Sequence, residues 1–271
     1  MHTDKIVKSG IYVFALIGFV MTSGYVAVRM GITNEKGVID NQRASFLEST
    51  SNTGANPTTP DWVSSEEWRI LKQAIIKDAP VIYKVAGITD IEPRLIVTLL
   101  VPEQLRLFHD NREVFKQIFA PLKILGSQSQ FSWGIMGIKH NTAVAIEKNL
   151  KDTSSSFYPG KEYENLLDFT SSDIENERFI RITDDKNHYY GYLYAALYAK
   201  QVIQQWQKSG FDISEKPDIL GTLYNIGFNN SHPNPDPHSG GAIIDISGKE
   251  YSFGSLADEF YRSNELKEYF P

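Results

Sequence analysis

Glu92-Pro93-Arg94-Leu95-Ile96-Val97-Thr98-Leu99-Leu100-Val101-Pro102-Glu103-Gln104 decides how the rest of the chain is read. Leu95 to Val101 is apolar except for Thr98, so the stretch predicts a helix with one face in the core, capped by Thr89 or Asp90. Pro102 should kink or end it, because the ring removes one backbone bond and clashes with the preceding turn. Glu103 is then expected at a helix C-terminal end, on the rim of the core. The partial negative charge there disfavours ionisation of a carboxyl.

On the N-terminal side, Ser64 and Glu67 match a capping box, with Val63 and Trp68 as a hydrophobic staple. A helix follows through Leu71, Ile75 and Ile76. Pro80 predicts the first residue of another helix, Pro80 to Ala86, stopped by Gly87. On the C-terminal side, helices are predicted over Phe108 to Phe119 and Thr142 to Leu150, separated by a polar loop at Gly126 to Ser132 and a tight turn between Gly134 and Gly137. Residues 151–187 read as an irregular polar insert. Tyr189 to Lys208 is the best long helix, stopped by Gly210, with tyrosines at 189, 190, 192, 194 and 198 on several faces. Pro217 opens a short helix closed by Gly227. Ile243 to Ile246 and Glu250 to Phe253, joined by Ser247-Gly248-Lys249, predict a small hairpin. A last helix spans about Leu256 to Tyr261. The expected fold is therefore mainly α (α+β): a multi-helix domain with one small β-hairpin.

Composition bounds the function. The chain has 271 residues and a formal net charge of -6, with no basic stripe, so nucleic acid is not an expected partner. It has no cysteine, which excludes disulfide frameworks and thiolate chemistry. Gly10 to Val28 is free of charge and would rise roughly 28 Å as a helix, about the thickness of a bilayer core. Lys5 and Lys8 favour an N-terminus inside. The reading is an N-terminal transmembrane signal anchor over residues 1–29, a flexible linker over 30–62 and a folded domain over 63–271. A cleaved signal peptide, with Thr22-Ser23-Gly24 near the right place, and a buried N-terminal helix are the alternatives.

Three short motifs carry the chemistry. They are Glu103 after its apolar helix, the turn Ser132-Trp133-Gly134-Ile135-Met136-Gly137, and Tyr224-Asn225-Ile226-Gly227 at a helix end. In this order the chain resembles the lysozyme-like superfamily, in particular goose-type lysozymes and bacterial lytic transglycosylases, over about residues 65–230. The resemblance implies a lysozyme-like domain with Glu103 as the single catalytic acid/base. It implies substrate contacts from Ser132, Trp133, Gly134, Met136, Tyr224 and Asn225, and no metal or cofactor. The expected substrate is the peptidoglycan glycan strand. Cleavage falls between N-acetylmuramic acid and N-acetylglucosamine, in the lytic transglycosylase or muramidase manner. A transglycosylase uses the muramic acid's own hydroxyl, whereas an inverting hydrolase needs a second carboxylate roughly 6.5 to 9.5 Å away. Asp110 and Glu113 read as solvated helix charges, which favours the transglycosylase. The implied location is the inner membrane, single-pass through residues 10–28, with the C-terminal domain in the periplasm. Secretion after cleavage is the alternative.

The chain departs from the family's pattern. Gln104 stands where a Ser usually follows the acid, Gly137 where a Gln usually follows Met, and Pro102 directly precedes the acid. These departures suit a rival reading, an inactive glycan-binding or scaffold component working with envelope-complex proteins. Each motif residue also has a plainer role. Glu103 could be a first-turn acid, Tyr224 and Met136 core, Asn225 a helix cap and Trp133 a buried ring. His232, Asp236 and His238 lie in a proline-spaced loop that reads as surface rather than a metal site.

Overall fold

The computed structural model describes residues 60–109 and 132–271. The expected membrane segment, most of the linker, the end of the helix expected to Phe119, and Asp110 and Glu113 lie outside the described residues. Within them no helix is long and apolar enough to cross a membrane. Seven α-helices are described: α1 (Glu66–Thr89), α2 (Pro93–His109), α3 (His140–Lys151), α4 (Ile174–Thr183), α5 (Tyr189–Lys208), α6 (Pro217–Ile226) and α7 (Phe253–Arg262). Two small antiparallel pairs complete the described residues. One is β1 (Ser132–Trp133) with β2 (Ile138–Lys139), the other β3 (Ile243–Ile246) with β4 (Lys249–Ser252). The mainly helical expectation with a small hairpin therefore holds.

The folded part begins earlier than expected. Trp62 is fully buried in a short 3-10 turn, Asp61–Ser64, its ring edge-on to Trp68 at 4.9 Å. The cap of α1 is Ser65 rather than Ser64: its hydroxyl accepts from the Trp68 N–H at 3.1 Å. Pro80 does not start a new helix, and α1 runs unbroken through it. Leu71, Ile75, Ile82 and Val85 are all buried at helical spacing, on both sides of an exposed Pro80. Continuous burial of that stripe outweighs the loss of one backbone bond. The helix also runs past Gly87, its expected stop, to Thr89, and is capped by Asp90 in the left-handed conformation.

Helix α2 is the hub, packed against α1, α5, α6, α7 and β3. It starts at Pro93, so neither Thr89 nor Asp90 caps it, and it continues through Pro102 to His109. Leu95, Ile96, Val97, Leu99, Leu100, Val101 and Leu105 are all buried. Buried on every side, α2 gains more from staying helical inside the core than Pro102 costs locally.

The insert at 151–187 is not wholly irregular, since it contains α4. Asp173 caps that helix by accepting from Asn176 N–H at 3.1 Å. Arg178 anchors it to α3, donating to the two Glu147 oxygens at 2.6 and 2.7 Å. Burial alone would lower the Arg178 pKa, but its bonds to Glu147 and Glu175 raise it above the ordinary arginine value. A helix held this way carries little hydrophobic signal. Of the five α5 tyrosines, 192, 194 and 198 are buried, with hydroxyls donating to Asp78, Glu147 and the Leu223 carbonyl. Tyr189 and Tyr190 are half-buried. Register pairs Ile246 with Lys249, so the β3–β4 turn has two residues rather than three.

One buried charge ties the C-terminus to the hub. Arg94 is 3% exposed and donates to the carbonyls of Phe260, Tyr261, Ser263, Glu265 and Phe270, at 2.9 to 3.1 Å. Replacing Arg94 with Met leaves these carbonyls without their donor. A loss of about 3 kcal/mol or more is expected in urea unfolding, and a loss under about 1 kcal/mol would show that the cluster carries little stability.

A second clasp joins α1 to α5. His188 Nδ1 lies 2.5 Å from Asp78 Oδ2, which also accepts from Tyr192 at 2.8 Å. The Asp78 bond raises the His188 pKa against the opposing effect of burial. Burial pushes the Asp78 carboxyl up, but its bonds from His188 and Tyr192 leave it below its ordinary value. Lys77 and Asp184 also act on His188. A raised histidine stabilises fully below its unfolded value of about 6.5 and loses that contribution as pH climbs through the folded value. The Tm deficit of His188→Gln should therefore be full near pH 6 and shrink toward alkaline pH. A deficit independent of pH would rule out the charged clasp.

Candidate functional site

Three separated segments meet around one carboxylate. Glu103 lies inside α2, not at a helix end, and it is buried rather than on a rim, at 3% exposure. This is a consequence of α2 running through Pro102. The carboxylate faces Arg106, one turn on along the same helix. Arg106 Nη2 donates to both Glu103 oxygens at 2.8 Å. At 8% exposure Arg106 is buried as well, so each charge offsets the other's desolvation.

The second segment is the turn between β1 and β2. The β1–β2 register pairs Trp133 with Ile138 across residues 134–137, and the Gly137 N–H donates to the Gly134 carbonyl at 3.2 Å. Gly134 and Gly137 both have left-handed backbone, φ 64 and 62, which a side chain would strain. Met136 is fully buried. β1 supplies the backbone of Ser132 and Trp133, and their side chains are outside the described set. The turn is fastened to α2 by Gln104, whose Nε2 donates to the Ile135 carbonyl.

The third segment is the end of α6. The Tyr224 hydroxyl donates to the Met136 carbonyl at 2.6 Å. Its ring lies edge-on to Tyr198, with centroids 5.3 Å apart. Burial first, and then the nearby charge of Glu103, push the Tyr224 phenol well above its ordinary pKa, so it acts here as a neutral donor. Asn225 uses its side-chain oxygen to accept from the Ala242 N–H at 2.8 Å. It therefore fastens the loop leading into β3 to the end of α6, at the expected helix terminus but with a tertiary partner.

Glu103, Met136 and Tyr224 are thus brought together, while Asn225 and Gly134 brace the surroundings. A Cβ on Gly134 would strike the Ile182 carbonyl of α4, so the turn also abuts that helix. The residue that sequence reasoning missed is Arg106. Its signal was available: an Arg three positions after a Glu on one helix shares its face. Chemically, the cluster holds a shielded carboxylate beside a fixed phenol and a rigid turn. No protein-family model, curated protein or solved structure matches this chain.

Tyr224→Phe removes the hydroxyl that holds the turn and leaves the Met136 carbonyl without this donor. The expected cost is about 1 kcal/mol, read as a Tm fall of roughly 2–4 °C with unchanged far-UV circular dichroism. An unaltered Tm would show that the bond does not brace the turn.

Proposed function

We propose that this chain acts on the peptidoglycan glycan strand, cutting between N-acetylmuramic acid and N-acetylglucosamine with Glu103 as acid and then base. The reading is of a lysozyme-like lytic transglycosylase or muramidase, held at the inner membrane by residues 10–28 with its domain in the periplasm. The observation that carries it is the convergence of the three motifs. Tyr224 reaches Met136 across 88 positions, and both stand beside the Glu103 carboxylate.

In this reading Glu103 protonates the leaving glycosidic oxygen. It then takes the proton from the attacking hydroxyl, which in a transglycosylase is the muramic acid's own and closes an anhydro ring. Tyr224 and the Met136 backbone hold the wall against which the sugar rests. Asn225 braces that wall through Ala242.

One observation favours a second reading, an inactive glycan-binding or scaffold protein of an envelope assembly. Both Glu103 oxygens are engaged by Arg106, and the Gln104 side chain is committed to the turn backbone. The two readings separate on purified sacculi. The full chain should release soluble muropeptides with anhydro ends, detected by mass spectrometry, and Glu103→Gln should abolish release. Binding of sacculi without release by the unaltered chain would favour the scaffold, and absence of binding would defeat both.

A further inference from the structure

Gly137 lies directly against the Glu103 carboxylate. A Cβ built on it would stand 1.8 Å from Oε1 and 2.4 Å from Cδ, closer than atoms can approach. Arg106 grips the same carboxylate by both oxygens at 2.8 Å. The carboxylate therefore occupies the space that a side chain at position 137 would fill.

We infer that Gly137 is a positioning residue for Glu103: with Arg106 it forms a two-sided seat, and the missing side chain is what lets the carboxylate settle. The inference rests on the reading of Glu103 as the acid, but the seat itself has a test that needs no activity. Arg106 fixes the carboxylate by charge and hydrogen bonding, and Gly137 fixes it by admitting it. A methyl group at 137 must push the end of the Glu103 side chain away from Arg106, because the turn backbone behind it is tied by Tyr224 and Gln104. A displacement of about 1 Å is enough to cost a catalytic group on the order of a hundredfold in rate.

The seat is tested by the effect of Gly137→Ala in two full-length backgrounds, unaltered and Glu103→Ala. The left-handed backbone at 137 strains an alanine equally in both, so this contribution cancels in the cycle. Glu103→Gln would not serve, since glutamine keeps the bulk. The expected result is a Tm fall several degrees larger when Glu103 is present. An equal fall in both backgrounds, including equal failure to fold, overturns the inference. In sacculus digestion, Gly137→Ala should lower the maximal rate of muropeptide release at least tenfold, with the half-saturating sacculus concentration changed less than twofold. An unchanged maximal rate likewise overturns it. If the unaltered chain releases nothing, the glycan-cleavage reading falls and the stability cycle alone decides the seat.

Discussion

A helix buried on every side tolerates no uncompensated charge, and α2 carries three charges inward. Arg94 near its start and the pair Glu103 and Arg106 near its end are each under a tenth exposed. Taking such groups out of water costs several kcal/mol apiece unless partners replace the lost hydration. Arg94 is satisfied by five backbone carbonyls from the last part of the chain, which binds α7 and the C-terminal segment to the hub. Glu103 and Arg106 pair with one another, which places a two-oxygen ion pair beside the Gly134–Gly137 turn. Compensation of the charges carried by one helix thus organises both the closing of the domain and the candidate site.

The turn is held from three directions. Gln104 donates to Ile135 from α2, Tyr224 donates to Met136 from α6, and Gly134 abuts the Ile182 carbonyl of α4. Gln104 ties the acid-bearing helix to the turn, and Gly137 leaves the room that the acid occupies. Both residues shape the neighbourhood of Glu103.

Much of the architecture was legible in one dimension. Tyr189 to Lys208 has the spacing and the flanking glycine of a long helix, and its ends fall where the pattern puts them. Pro217 and Gly227 bracket α6 for local reasons, a preset φ at the start and a positive φ of 84 at the end. The errors concentrate at Pro80 and Pro102, where local rules predict breaks that the surrounding core overrides. They recur at α4, whose attachment is an ion pair rather than an apolar stripe. No periodicity registers Arg178 meeting Glu147, because the two belong to different helices.

From its residues alone, the chain determines that most of these segments are helical, where α5 and α6 begin and end, and the order in which an acid, a Gly-Met turn and a Tyr-Asn pair follow one another. These are local properties, governed by backbone sterics and by the spacing of apolar side chains. Only the tertiary structure decides that Glu103 is enclosed rather than on a rim, that Arg106 is its partner, that Tyr224 and Asn225 bond to backbone, and that Gly137 makes way for a carboxylate. Those outcomes depend on distances between segments far apart in the chain, which are set when burial of the whole core outweighs the preferences of each piece.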